Sequence, residues 1–151
     1  MMSGPGDDDG TLFQATRMAE LAGLTEFITR ACARVRAGAE ATADLRLAIE
    51  EVFTNIMRHG YGDQPGPVTV RVEATPARMA VTLVDAAPGF DPDSLPAPDI
   101  HADCAQREPG GLGWHLVRQV MDEVRREPGA QGGNVFTLVR NLQAPRRIAD
   151  S

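Results

Sequence analysis

The hydrophobic period changes near residue 60 of this chain, and that change constrains the fold more than any other feature. Before about residue 60 apolar residues recur at helical spacing; from residue 67 they alternate. Segment 17–37 places Leu21, Leu24, Phe27, Ile28, Ala31 and Val35 on one helical face, and Gly38 is expected to end that helix. A second helix is predicted from Thr42 to His59, with Thr42 as N-cap, Asp44 in the first turn and Gly60 as a left-handed cap. Leu45, Ile49, Val52, Phe53 and Ile56 form its apolar stripe. PVTVRVEA (67–74) and ARMAVTLVD (77–85) then predict a hairpin turning at Thr75–Pro76. Residues 86–110 hold five prolines and read as a long loop, a length that compact domains rarely keep without a functional reason. A third helix (112–122) and two strands (122–127 and 133–142) around Gly129–Gly133 follow. With a short strand at 11–14, this order predicts an α+β fold: a two-layer sandwich whose mixed, mainly antiparallel sheet carries its helices on one face. Residues 1–9 read as a disordered acidic tail, 10–143 as one domain and 144–151 as a second tail.

Composition removes several chemistries. All 15 basic residues are arginines. A P-loop lysine, the strand lysine of a two-lobed protein kinase and a Schiff-base amine are therefore excluded. Any phosphate must be met by arginine, backbone amides or a metal. The net charge of −6 argues against a nucleic-acid surface. Two cysteines, Cys32 and Cys104, make no disulfide scaffold. No apolar run approaches a membrane span and no signal-peptide core is seen, so no membrane is expected and a cytoplasmic location is the default. His101, Cys104 and His115 match no zinc-module spacing, and no metal site is expected from them.

Three short motifs carry chemistry. Glu51 and Asn55 stand four apart on the second helix and so share a face, with Arg58 and His59 continuing the stripe. A polar face on an amphipathic helix is also ordinary. Asp85 ends an apolar strand and is followed by Ala87, Pro88 and Gly89, residues that also favour a plain turn. Gly111, Leu112 and Gly113 open the third helix, where backbone N–H groups can face an anion. This is not the dinucleotide fingerprint, because its third glycine and its parallel strands are missing.

Taken in order, the three motifs resemble the ATP-binding (Bergerat, or GHKL) domain shared by gyrase-type ATPases, Hsp90, histidine kinases and mismatch-repair ATPases. AIEEVFTNIMRHGYGD, GFDP and GGLGWHLVRQVMDEVRRE resemble in detail the anti-sigma factor serine/threonine kinases of bacterial partner-switching systems. The likeness covers roughly residues 11–142. It implies Mg-ATP as the nucleotide, a STAS-domain anti-anti-sigma protein as the phosphorylated partner and a sigma factor as a further partner. The family often forms homodimers, although no feature here specifies one. By the same resemblance Glu51 is the catalytic base and Asn55 the Mg²⁺ ligand. Arg58 and His59 stand near the phosphates, although a histidine at a helix C-terminus is favoured by the dipole in any case. Asp85 receives the adenine amino group, Gly89 lies by the base, and Gly111, Leu112 and Gly113 form the lid. Arg107, in the long loop, is a further candidate for the γ-phosphate. The family pattern D-x-G-x-G has Ala87 in place of its first glycine. A positive φ there would cost alanine about 1 kcal/mol or more, whereas a need for a small side chain would cost nothing. Two alternatives remain: a nucleotide-binding module that sequesters a regulator without kinase turnover, and a detached histidine-kinase catalytic domain.

Overall fold

The computed structural model describes residues 11–89, 113–130 and 132–142. Five strands form one sheet in the order β1-β2-β3-β5-β4: β1 Leu12–Ala15, β2 Val68–Thr75, β3 Arg78–Asp85, β4 Glu123–Pro128 and β5 Asn134–Asn141. Every neighbouring pair is antiparallel. The helices are α1 Leu21–Arg34, α2 Ala39–Asn55 and α3 Gly113–Val120. This is the expected α+β sandwich, and strict alternation explains it. Val68, Val70 and Val72 are buried while Arg71 and Glu73 are exposed, so only one face of the sheet needs cover. That cover comes from Leu24 and Ile28 of α1, Leu45, Ile49, Val52 and Phe53 of α2, and Trp114 and Val117 of α3. Trp114 meets Phe136 of β5 edge-on with ring centroids 6.4 Å apart.

Helix boundaries correct the expectations made for Gly38, Thr42 and Gly60. The first helical segment opens as a 3₁₀ turn, Met18–Glu20, and α1 stops at Arg34. A Schellman motif ends it: the Ala37 N–H donates to the Cys32 carbonyl (2.9 Å), and the left-handed residue is Arg36 (φ 55°). Gly38 (φ 92°) instead starts α2 at its N-cap. Thr42 lies inside the helix, where its hydroxyl donates back to the Gly38 carbonyl (2.7 Å). Asp44, expected in the first turn, ties α2 to the sheet: Arg140 of β5 donates from Nε and Nη2 to Asp44 Oδ2 at 3.1 and 2.9 Å.

The C-terminal end of α2 differs more. Ile56–Gly60 forms a π-helical turn, with the Tyr61 N–H donating to the Ile56 carbonyl (2.9 Å). Gly60 is not left-handed; the positive φ values fall on Gly62 and Asp63, whose N–H donates to the Met57 carbonyl (2.8 Å). The α-helical phase that would carry Arg58 and His59 along the stripe of Asn55 therefore ends at Asn55 itself.

Candidate functional site

Glu51 and Asn55 do share the α2 face. Asn55 is 1% exposed, and among the described residues neither its Oδ1 nor its Nδ2 has a hydrogen-bond partner. One turn earlier Glu51 is half-buried, with Oε1 enclosed and without a partner among the described residues. Burial pushes the Glu51 carboxyl above its ordinary value, and the charge of Glu50 adds to the shift. The π turn swings the next two residues outward: Arg58 is half-buried and His59 exposed.

Asp85 ends β3 at 4% exposure. Its Oδ1 accepts from the Ala87 N–H (2.9 Å) and from Asn134 Nδ2 (3.0 Å), while among the described residues Oδ2 is buried without a partner. Burial raises this carboxyl; the bonds from Asn134 and Ala87 and the charge of Arg126 oppose the rise. Ala87 is 1% exposed and does not have positive φ, so the position asks for a small side chain rather than a glycine backbone. A Cβ at Gly89 would stand 3.5 Å from Arg126 Nη2 and 3.7 Å from Asn134 Oδ1, an ordinary contact. Gly113 is the first residue of α3. Gly111, Leu112, Arg107, His101 and Cys104 lie outside the described residues. Among the described residues no group of three or more His, Cys, Asp or Glu side chains could hold a metal.

Four residues of this region escape a reading by motif. Asn134 faces Asp85 because the β3–β5 register pairs them. Arg126 reaches the same place from β4. Tyr61 joins the end of α2 to the start of the Asp85 loop: its hydroxyl donates to the Pro67 carbonyl (2.7 Å) and accepts from the Ala86 N–H (2.8 Å). Gly133 (φ 80°) lets β5 pass the Asp85 carbonyl, which a Cβ would approach to 1.9 Å. The only available signal was the GGN run at the start of an alternating strand, which reads equally well as a turn.

Gly133 supports a direct test. Gly133→Ala meets both a backbone clash and an unfavourable φ, and is expected to lower unfolding free energy by roughly 3 kcal/mol or more. Gly38→Ala, at φ 92° and ψ 163° with open space around it, meets only the conformational cost, about 1–3 kcal/mol. Urea denaturation of the two variants measures the difference.

Comparison with known proteins identifies the family of the chain. The profile of the Histidine kinase-like ATPase domain family matches residues 14–140. An Anti-sigma F factor from Pasteuria penetrans is 27% identical over 112 residues, covering 73% of this chain and 75% of that protein. Serine-protein kinase RsbW from Bacillus velezensis is 35% identical over 109 residues, covering 68% of this chain and 66% of its own length. RsbW from Bacillus subtilis is also 35% identical, over 88 residues that cover 54% of each chain. This chain thus spans about two thirds or less of the RsbW proteins named. A solved structure, the mycobacterial sensor histidine kinase MprB, superposes with a TM-score of 0.48 at 20% identity, covering 85% of this chain and 96% of that one. The family match runs through both polar clusters and nearly every described strand and helix: the chain belongs to the histidine kinase-like ATPase domain family, and its sequence resembles that of the anti-sigma factor serine kinases.

Proposed function

We propose that this protein is a serine/threonine kinase that transfers the γ-phosphoryl group of ATP to a STAS-domain anti-anti-sigma partner, and so regulates transcription by partner switching. One observation supports the reading most. Buried polar atoms without partners are costly, about 1–3 kcal/mol each. Among the described residues those atoms fall on Glu51, Asn55, Asp85, Arg126 and Asn134, of which the first three are the residues the motifs single out. A ligand that meets these atoms would offset that cost.

The roles follow from the atoms. Asp85 Oδ2, its neighbour Oδ1 already engaged twice, is a spare acceptor for the 6-amino group of adenine. Asn55 Oδ1 is a hard oxygen donor of the type Mg²⁺ takes, and the residues fit that ion; when bound, it offsets phosphate charge. Arg58 and the backbone at the start of α3, where Gly113 follows Gly111 and Leu112, are assigned to the phosphates. Glu51 takes the proton of the partner's hydroxyl while that oxygen attacks the γ-phosphorus, and ADP leaves with the electrons of the broken P–O bond. A raised pKa suits a carboxylate to this work, because a base closer in pKa to the working pH has more driving force for proton transfer. The relatives named as serine-protein kinases point to the same reaction. The domain is taken to run over residues 10–143, with tails at 1–9 and 144–151. Among the described residues no helix is long and apolar enough to cross a membrane.

Titration calorimetry with ATP and Mg²⁺, followed by transfer from γ-labelled ATP, tests the proposal. Label on the partner that survives acid supports it. Acid-labile label would indicate a histidine kinase domain, and tight ATP binding without transfer a sequestering module.

A further inference from the structure

The sequence DEVRRE (122–127) places charges on both faces of the edge strand β4. Arg125 points outward and pairs with Glu123 at 2.8 Å. Val124 has the opposite parity and packs against the core. Arg126 shares that inward parity, because successive side chains of a strand alternate between faces. The register completes its address. Arg126 stands opposite Phe136, which stands opposite Leu83; two residues along, Pro128, Asn134 and Asp85 form the next row. Arg126, Asn134 and Asp85 therefore lie on one face of three adjacent strands.

An inward arginine at the sheet edge is costly unless something meets it. Its charge favours the ionised form of Asp85. Its Nη2 would stand 3.5 Å from a Cβ at Gly89, yet among the described residues its Nε is buried without a hydrogen-bond partner. Among the described residues, the unmet atoms on this face are thus one donor, Arg126 Nε, and two acceptors, Asp85 Oδ2 and Asn134 Oδ1. A ligand edge complementary to an acceptor beside a donor must itself present a donor beside an acceptor. Adenine does so wherever its 6-amino group adjoins a ring nitrogen. Guanine in the same pose would set O6 against the Asp85 carboxylate.

Building on the ATP reading above, we propose that Arg126 is a base-specificity residue: its Nε–H donates to a ring nitrogen flanking the 6-amino group of adenine while Asp85 accepts from that group. Asp85 and Arg126 together then read two adjacent atoms of the base.

Calorimetry with ATP, 1-deaza-ATP and 7-deaza-ATP, on the full chain, tests this. Each analogue replaces one ring nitrogen with C–H. Wild type is expected to bind one of the two about 10-fold or more weakly than ATP. Arg126→Met is expected to bind ATP about 10-fold more weakly and to lose its preference for ATP over that analogue. A merely structural arginine would weaken all three nucleotides alike. The wild-type arm needs no variant, so a wild type without that preference overturns the assignment even where Arg126→Met folds poorly. ATP binding with both deaza analogues bound as tightly as ATP overturns the assignment of Arg126 alone. A wild type that binds no ATP overturns the nucleotide reading, and this inference with it.

Discussion

Glu51→Gln is expected to bind ATP nearly as tightly as wild type and to transfer phosphate about 10²–10⁴-fold more slowly. The amide keeps the shape of the side chain and removes its ability to take a proton. The pH profile gives an independent check. Burial, with Glu50 second, holds the Glu51 carboxyl above its ordinary value. Wild-type transfer should therefore rise with pH, with its midpoint above the ordinary carboxylate range, and the residual rate of Glu51→Gln should lack that rise. Stability has the opposite sign. A raised carboxyl contributes stability that is complete below its unfolded-state pKa and is lost as pH rises through the folded-state value. Glu51→Gln should thus be no less stable than wild type at neutral pH, which urea denaturation would show. An inactive and destabilised variant would point to a structural role instead.

Asp85→Asn is expected to reduce ATP affinity by about 10²-fold or more, because its amide N–H₂ would face the amino group of adenine where Oδ2 now offers an acceptor. Its Oδ1 can still accept from Ala87 and Asn134, so the local fold should survive. Without ligand the variant should be the more stable protein at neutral pH. The sign follows from burial: wild-type Asp85 is raised, so its contribution is full below the unfolded-state pKa and declines as pH rises through the folded-state one. Melting temperatures measured from acid to neutral pH should converge at the acid end and separate above it. ATP should stabilise wild type and leave Asp85→Asn nearly unmoved. Loss of both stability and binding would mean that the carboxylate holds the loop together rather than reading a base.

Local pattern carried most of the fold. The alternation at Val68, Val70 and Val72 and the stripe of Leu45, Ile49, Val52 and Phe53 led to the right layers and the right buried faces. Helix ends were less legible. Arg36 is left-handed because a Schellman bond closes around it, and an arginine announces no such cap. The π turn after Asn55 likewise has no signature in IMRHG. Glu51, Asn55 and Asp85 each sit in a short motif that sequence displays, and among the described residues each carries a buried atom without a partner. Asn134 and Arg126 were not legible in this way. Asn134 donates to a residue 49 positions away, and only strand register brings such pairs together. Register depends on the whole sheet, so no window of sequence displays it. Tyr61 was hidden for the same reason, since its contact with Ala86 spans the entire β2–β3 hairpin.

The most direct test of the kinase reading is phosphoryl transfer itself. The full chain is incubated with γ-labelled ATP, Mg²⁺ and its cognate STAS-domain protein, and the labelled product is treated with acid. The expected result is acid-stable label on a serine or threonine of the partner with wild type, and label reduced at least about 10²-fold with Glu51→Gln. Equal labelling by wild type and Glu51→Gln, or ATP binding with no label on the partner, would contradict it.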